Sequence, residues 1–245
     1  MIGRHSEKAE VIINCVGQIE DTLSSSFHRI HVDLTKRIIE GRQILGNPGI
    51  IQISALGASA EHKVEFLRTK GLADDFLLQH SHTTVVRPSI VCTHGTMIVK
   101  KMLMLSKIGR FSFGLLPMQK GFLQTRIQPI MPQDLVDLVR TLCDGQTHRL
   151  VNAVGPDPIT FKQLIAMLIE TRNQKLRVVE VPKTVTDLII KQFVSLAMPK
   201  VINLQQYQLL FEDNVSDTNE LQHILGGELT SPLDFFNKEF AYATH

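Results

Sequence analysis

The sequence predicts an α/β fold, a doubly wound parallel sheet followed by a smaller, mostly helical C-terminal part. Three observations predict it. Short apolar runs recur at residues 11–17, 49–54 and 83–87, each bounded by turn residues, which is the pattern of strands buried in a parallel sheet. Amphipathic segments of helical period separate them, and strand–helix–strand at this spacing forms right-handed β-α-β units. The last third carries apolar residues at helical spacing, punctuated by Pro156, Pro158, Pro182 and Pro199.

The first run, Val11 to Gly17, reads as a strand buried on both faces and ended by glycine. In the next segment Phe27, Ile30, Leu34 and Ile38 recur at spacings of three and four, with Arg29, Asp33, Lys36 and Arg37 opposite, so an amphipathic helix is expected to run to Gly41. The turn Asn47-Pro48-Gly49 leads into the strand 49–54, a helix fits 63–78, and the strand 83–87 follows. Beyond Ser89 the pattern predicts helices at 97–105 and 134–142, short strands and loops over 111–130, and an edge strand at 148–152. Helices are expected at 160–171, with Thr160 as N-cap, and at 184–196 and 204–211. The expected division is 1–150 for the sheet domain and 151–245 for a helical, substrate-side subdomain packed on it.

Composition bounds the function. Of 245 residues, 43% are hydrophobic and 20% charged, and 26 basic against 24 acidic residues leave a net charge of +2 without a basic run suited to nucleic acid. The three cysteines, Cys15, Cys92 and Cys143, are widely spaced in apolar surroundings and read as buried thiols of a reducing compartment. No apolar segment reaches membrane-spanning length, and the start lacks a signal-peptide pattern, so a cytoplasmic protein is expected.

In order along the chain, several motifs resemble the extended and atypical branch of the short-chain dehydrogenase/reductase superfamily. Asn14-Cys15-Val16-Gly17 resembles the end of its fourth strand, beside the adenine ribose. His31-Val32-Asp33 resembles its next helix, and Ile53-Ser54-Ala55-Leu56-Gly57-Ala58 its fifth strand with a serine-containing exit. Arg87-Pro88-Ser89 resembles its sixth-strand motif, where the backbone through Ile90 would lie near a nicotinamide. Gln128-Pro129-Ile130, then Asp134-Leu135-Val136, resembles the lead into the substrate-side helix. Ser54-Ala55-Leu56-Gly57-Ala58, with 205–211 and Glu212-Asp213-Asn214-Val215, is most similar to the subgroup of the nucleotide-binding accessory subunit of respiratory complex I. The resemblance implies a Rossmann-like, epimerase-like frame, an NAD(P)(H) cofactor and a place peripheral to a membrane complex. It assigns cofactor contacts to Cys15, Val16, Gly17, Ser54, Lys70, Pro88, Ser89 and Ile90.

The sequence departs from that pattern twice. A Rossmann domain grips the pyrophosphate with a glycine-rich first turn, and no G-x-G-x-x-G occurs here. The resemblance begins at the fourth strand, so the first β-α-β-α-β half has no counterpart, and NAD(P)(H) is expected only if that half is supplied. Either Met1 is internal to a longer natural chain, or a second copy or another protein covers the edge strand 11–16. The superfamily's Tyr-x-x-x-Lys pair is replaced by Phe66-Leu67-Arg68-Thr69-Lys70, which keeps the lysine and loses the proton donor. Phe66 and Lys70 thus mark a vestigial site, with Ser54 or Leu56 in the serine position. A degenerate, dinucleotide-binding or assembly role is expected over turnover. The alternatives are an epimerase or reductase with another proton donor, active as a longer chain, and a ligand-free scaffold.

Plainer readings stand beside these. Lys70 also fits a solvated helix position, and 14–17 are needed merely to end a strand. His62, His80 and His82 lack carboxylate or cysteine partners at metal-ligand spacing, so no metal is expected. Ser89 with His94 has no nucleophile-elbow signature. The stripe Leu188, Ile189, Phe193, Leu196 and Met198 reads as core, with a membrane surface or partner helix as the alternative.

Overall fold

The structure, a computed structural model, describes residues 9–18, 26–111, 113–145, 149–186 and 208–242. The predicted helices over 184–196 and 204–211, with the Leu188 stripe, lie largely or wholly outside those residues. The chain divides into two compact units that interleave along the sequence. The first takes residues up to Ser89, then Gln133–Val154 and Ser216–Leu229, and the second takes Ile90–Pro132, Gly155–Val215 and Thr230 onward. The sequence pattern placed a single boundary near residue 150.

The first unit is built on a four-stranded, all-parallel sheet in the order β1 (Val11–Asn14), β2 (Gly49–Ile53), β3 (Thr83–Pro88) and β6 (Arg149–Ala153), numbered in chain order. The predicted α/β class and parallel sheet are thus present. The central strands are buried on both faces, with Ile50, Ile51, Val85 and Val86 at most 3% exposed. Burying such side chains contributes about 1.5–3 kcal/mol each.

β1 corrects one expectation. It is not buried on both faces: among the described residues it pairs with β2 alone, Ile13 is 46% exposed, and Val16, just past its end, is 52% exposed. Cys15, just beyond the paired residues, is exposed as well, Cys143 is half-buried, and only Cys92 is a buried thiol, with desolvation pushing it up to about 12.

The α-helix after β1 ends at Gly41, as the sequence predicts. A wide π-type turn, Arg29–Asp33, runs into α1 (Leu34–Gly41) and on through a tight turn, Arg42–Leu45, until Gly46 adopts φ +83° and donates its N–H to the Arg42 and Gln43 carbonyls. α2 (Glu65–Leu77) joins β2 to β3, and α4 (Pro132–Gly145) precedes β6. A helix that sequence reading missed, α6 (Asn219–Leu225), packs against β6 and buries Leu221.

The second unit holds α3 (Met97–Phe111), α5 (Phe161–Thr171) and α7 (Leu233–Tyr242) around one apolar cluster that includes Met102, Leu116, Leu164, Leu168, Phe236 and Phe240. Phe122 and Phe161 stack with ring centroids 4.4 Å apart. β4 (Leu115–Gln119) pairs in parallel with β8 (Arg177–Val181), and β5 (Arg126–Ile127) pairs antiparallel with β7 (Ile159–Thr160). Thr160 caps α5 through a reciprocal box: its hydroxyl accepts from Gln163 N at 3.2 Å while Gln163 Oε1 accepts from Thr160 N at 2.8 Å. Such caps contribute about 1 kcal/mol.

Candidate functional site

Phe66, Lys70 and Asp74 stand four residues apart, on one face of α2, and this face lies over the exit of β2. The approach is close: a Cβ built on Gly71 would lie 2.2 Å from the Ser59 carbonyl carbon and 2.4 Å from Ala60 N. Only glycine lets α2 come this near the loop, so Gly71 sets the depth at which Lys70 and Asp74 are buried.

Asp74 is fully buried, and one of its oxygens, Oδ2, accepts both from Ser54 Oγ at 2.8 Å and from Arg87 Nε at 2.8 Å. The other, Oδ1, has no hydrogen-bond partner among the described residues. Desolvation pushes the carboxyl above its usual range, and the bonds from Ser54 and Arg87 with the charges of Arg87 and Lys70 oppose that shift. Lys70 is 6% exposed and gives one hydrogen bond, from Nζ to the Ile53 carbonyl at 3.1 Å. Burial holds its ammonium below the usual lysine value, against the pull of Asp74 and Cys15. A Cβ on Gly17 would lie 3.2 Å from Lys70 Nζ, so the exit of β1 passes directly over the amine.

One turn before Lys70, Phe66 lies in an aromatic cluster. Phe66 meets Phe27 edge-on at 5.9 Å between centroids and His31 edge-on at 5.7 Å, while Phe27 and His31 stack at 5.7 Å. His31, in the π-type turn, is 3% exposed, and its Nδ1 pairs with Thr69 Oγ1 at 2.9 Å. Desolvation and the neighbouring Lys70 charge lower its pKa to about 4, with a backbone group of Gln18 acting the other way. The imidazole is therefore neutral at physiological pH.

The structure brings Cys15, Gly17, Ser54 and Lys70 together around the ends of β1 and β2. Pro88 and Ser89 continue β3 beside them in the sheet: the Pro88 carbonyl accepts from Leu56 N at 2.9 Å, and Ser89 N donates to the Ala153 carbonyl at 2.9 Å. Val16 points its side chain to solvent. Ile90 belongs to the second unit, where its carbonyl accepts from Ile130 N at 2.9 Å. His94, an exposed residue of that unit, is paired with Glu239. His62 Nδ1 accepts from Val64 N at 3.0 Å, and His80 lies over Phe76 with its Nδ1 3.0 Å from that residue's carbonyl oxygen.

Sequence reading missed His31, Thr69, Gly71 and Asp74 as site residues. One signal was available, because Lys70 and Asp74 are opposite charges four apart within a helix whose neighbours on that face are apolar. His31 carried none, since a lone histidine in an amphipathic helix reads equally well as surface.

No protein-family model matches the chain. It is 26% identical over 231 residues to the mitochondrial NADH dehydrogenase [ubiquinone] 1 alpha subcomplex subunit 9 of Arabidopsis thaliana; this covers 88% of the chain and spans 56% of that protein. Among solved structures it is similar to RMD of Pseudomonas aeruginosa complexed with NADPH, at 14% identity and a TM-score of 0.66, over 96% of this chain and 81% of that one. A short-chain dehydrogenase/reductase superfamily protein of Agrobacterium tumefaciens with bound NAD matches at 11% identity and a TM-score of 0.65, over 96% and 79%. The UDP-glucuronic acid 4-epimerase of Bacillus cereus, in complex with UDP-glucuronic acid and NAD, matches at 12% identity and 0.65, over 95% and 74%.

Proposed function

From a chain with the atypical short-chain dehydrogenase/reductase fold, similar in sequence to a complex I alpha-subcomplex subunit, we infer a protein that acts by binding and assembly and not by turnover. The observation that carries this reading is the state of the α2 face. Phe66 has no proton to give, the Ser54 hydroxyl is spent on buried Asp74, and Lys70 is turned toward a main-chain carbonyl. Restoring a phenol alone would leave the serine position engaged.

Some of the residues fit a dinucleotide. Lys70 Nζ has three N–H groups and, among the described residues, one protein acceptor, which leaves donors for a ribose hydroxyl, and Gly17 keeps the overlying backbone free of a side chain. The pyrophosphate grip is not among the glycines of this sequence, so NAD(P)(H) would be held where a longer chain or a partner supplies a glycine-rich turn. The free edge of β1, with Ile13 and Val16 exposed, is where a second copy or another protein would add that part. The sequence relative supports a place at the periphery of a membrane complex; among the described residues no helix is long and apolar enough to cross a membrane.

One observation favours a second reading, turnover with a different proton donor. His31, a buried and neutral imidazole, stands edge-on to Phe66 with ring centroids 5.7 Å apart. Melting the complete natural protein with NADPH and with NADH, while following dinucleotide oxidation in the presence of carbonyl compounds, separates the readings. A raised melting temperature without oxidation supports the first. Oxidation that is lost in His31→Gln supports the second, and no shift at any concentration contradicts both in favour of a ligand-free scaffold.

A further inference from the structure

The two-stranded sheet of the second unit leaves one face in water. Strand pleating sends Leu116 and Met118 of β4 inward, 1% and 8% exposed, and leaves Leu115 and Pro117 outward. β8 is in register so that Arg177 stands beside Leu115 and Val179 beside Pro117, which puts all four on the outer face. Leu115 is 48% and Val179 43% exposed.

The turn entering β4 adds Phe113, whose side chain is 100% exposed. Phe113 has φ +54° and Gly114 φ +84°, and a Cβ on Gly114 would lie 2.6 Å from the Lys175 carbonyl oxygen. The turn is thus held in a conformation that bulky residues rarely adopt, and it presents an aromatic ring to solvent. An exposed aromatic, two aliphatics and a proline on one face differ from hydrophobics scattered singly over a surface.

The charge around this face has one sign. Segments 113–121 and 174–186 contain Lys120, Lys175, Arg177 and Lys183, all exposed, and a single acid, Glu180. Glu180 is itself exposed but stands in register with Met118, and pleating puts it, like Lys120, on the side opposite Leu115 and Val179, so Lys175 and Arg177 are the charges that flank the apolar face. Long basic side chains around an apolar centre match a surface with phosphates above a hydrocarbon boundary: the cations reach headgroups while the ring and aliphatics enter the acyl edge. A second copy would bring two basic rims together.

We propose that this face, centred on Phe113, Leu115, Pro117 and Val179, docks the protein on an anionic membrane surface. The inference goes beyond the assembly reading, since it needs neither a dinucleotide nor a protein partner, and its test contains neither.

The test is flotation of the full chain with vesicles of phosphatidylcholine alone and with vesicles in which about one third is phosphatidylglycerol. Binding is expected to the anionic vesicles only. Phe113→Ser with Val179→Ser, both on the exposed face, is expected to keep the melting temperature and lower partitioning by about tenfold or more. Each basic charge near such a surface contributes roughly fivefold, so Lys175→Gln with Arg177→Gln is expected to lower partitioning on the order of twentyfold. The proposal is overturned by absence of flotation, which would leave the face to an acidic protein partner. Equal flotation on both vesicle types, or flotation that the substitutions leave unchanged, also overturns it. So does a dimer, seen by sedimentation without vesicles, that the Phe113 and Val179 substitutions dissociate, because the face would then belong to a second copy.

Discussion

Ser54 donates its hydroxyl to the fully buried carboxyl of Asp74 at 2.8 Å, and Arg87 donates to the same carboxylate oxygen at 2.8 Å. This bond turns the Ser54 hydroxyl to the interior. Removing Asp74 leaves the Arg87 guanidinium without its ion pair, so Asp74→Ala is expected to cost about 3 kcal/mol, while Ser54→Ala, which deletes one hydrogen bond, costs about 1 kcal/mol. Urea unfolding of both variants and of the double variant checks this. Because the residues share one network, the two costs are expected not to add.

His31 gives stability a defined dependence on acid. The unfolded imidazole takes up its proton near 6.5 and the folded one at about 4, so between these values the unfolded chain binds more protons. Its contribution is therefore full above about 6.5 and lost as pH falls toward 4, by roughly 3 kcal/mol at most. His31→Phe, placed among Phe27 and Phe66, is expected to flatten that part of the profile; an unchanged slope would assign it to other groups.

Much of the architecture was legible from short-range pattern. The apolar runs at 11–17, 49–54 and 83–87 became three neighbouring parallel strands, and Thr160 caps its helix, because burial on both faces and capping leave direct marks on composition. β8 was not legible. Its residues, Arg177-Val178-Val179-Glu180-Val181, lie in a region read as helical, and they become a strand because β4, far away in sequence, offers a parallel edge. The place of β1 at a sheet edge was expected from the sequence, whereas the partial exposure of its faces was not, since an apolar run does not say what packs on it. In the site, the loss of the tyrosine was plain in the sequence, whereas the Ser54–Asp74 bond depends on how α2 crosses the exit of β2.

Gly71 and Gly17 are expected to respond differently to alanine. At Gly71 the new methyl would lie 2.2 Å from backbone of Ser59, so Gly71→Ala should cost about 2–3 kcal/mol or disrupt folding. At Gly17 the nearest atom is Lys70 Nζ at 3.2 Å, the mobile end of a side chain, so Gly17→Ala should change stability by less than about 1 kcal/mol. If Lys70 holds a ribose, the same substitution weakens the dinucleotide-induced rise in melting temperature, which thermal unfolding with and without NADPH would reveal.

The central claim is that the α2 face does not support turnover even with a phenol restored. The most direct measurement is single-turnover absorbance of bound NADPH in the Phe66→Tyr variant of the complete natural protein, challenged with carbonyl compounds. The account predicts that NADPH binds and stays reduced, because Ser54 remains bonded to Asp74 and Lys70 to the Ile53 carbonyl. Oxidation of the bound dinucleotide in that variant would contradict it, and would mean that the missing phenol alone had kept the site inactive.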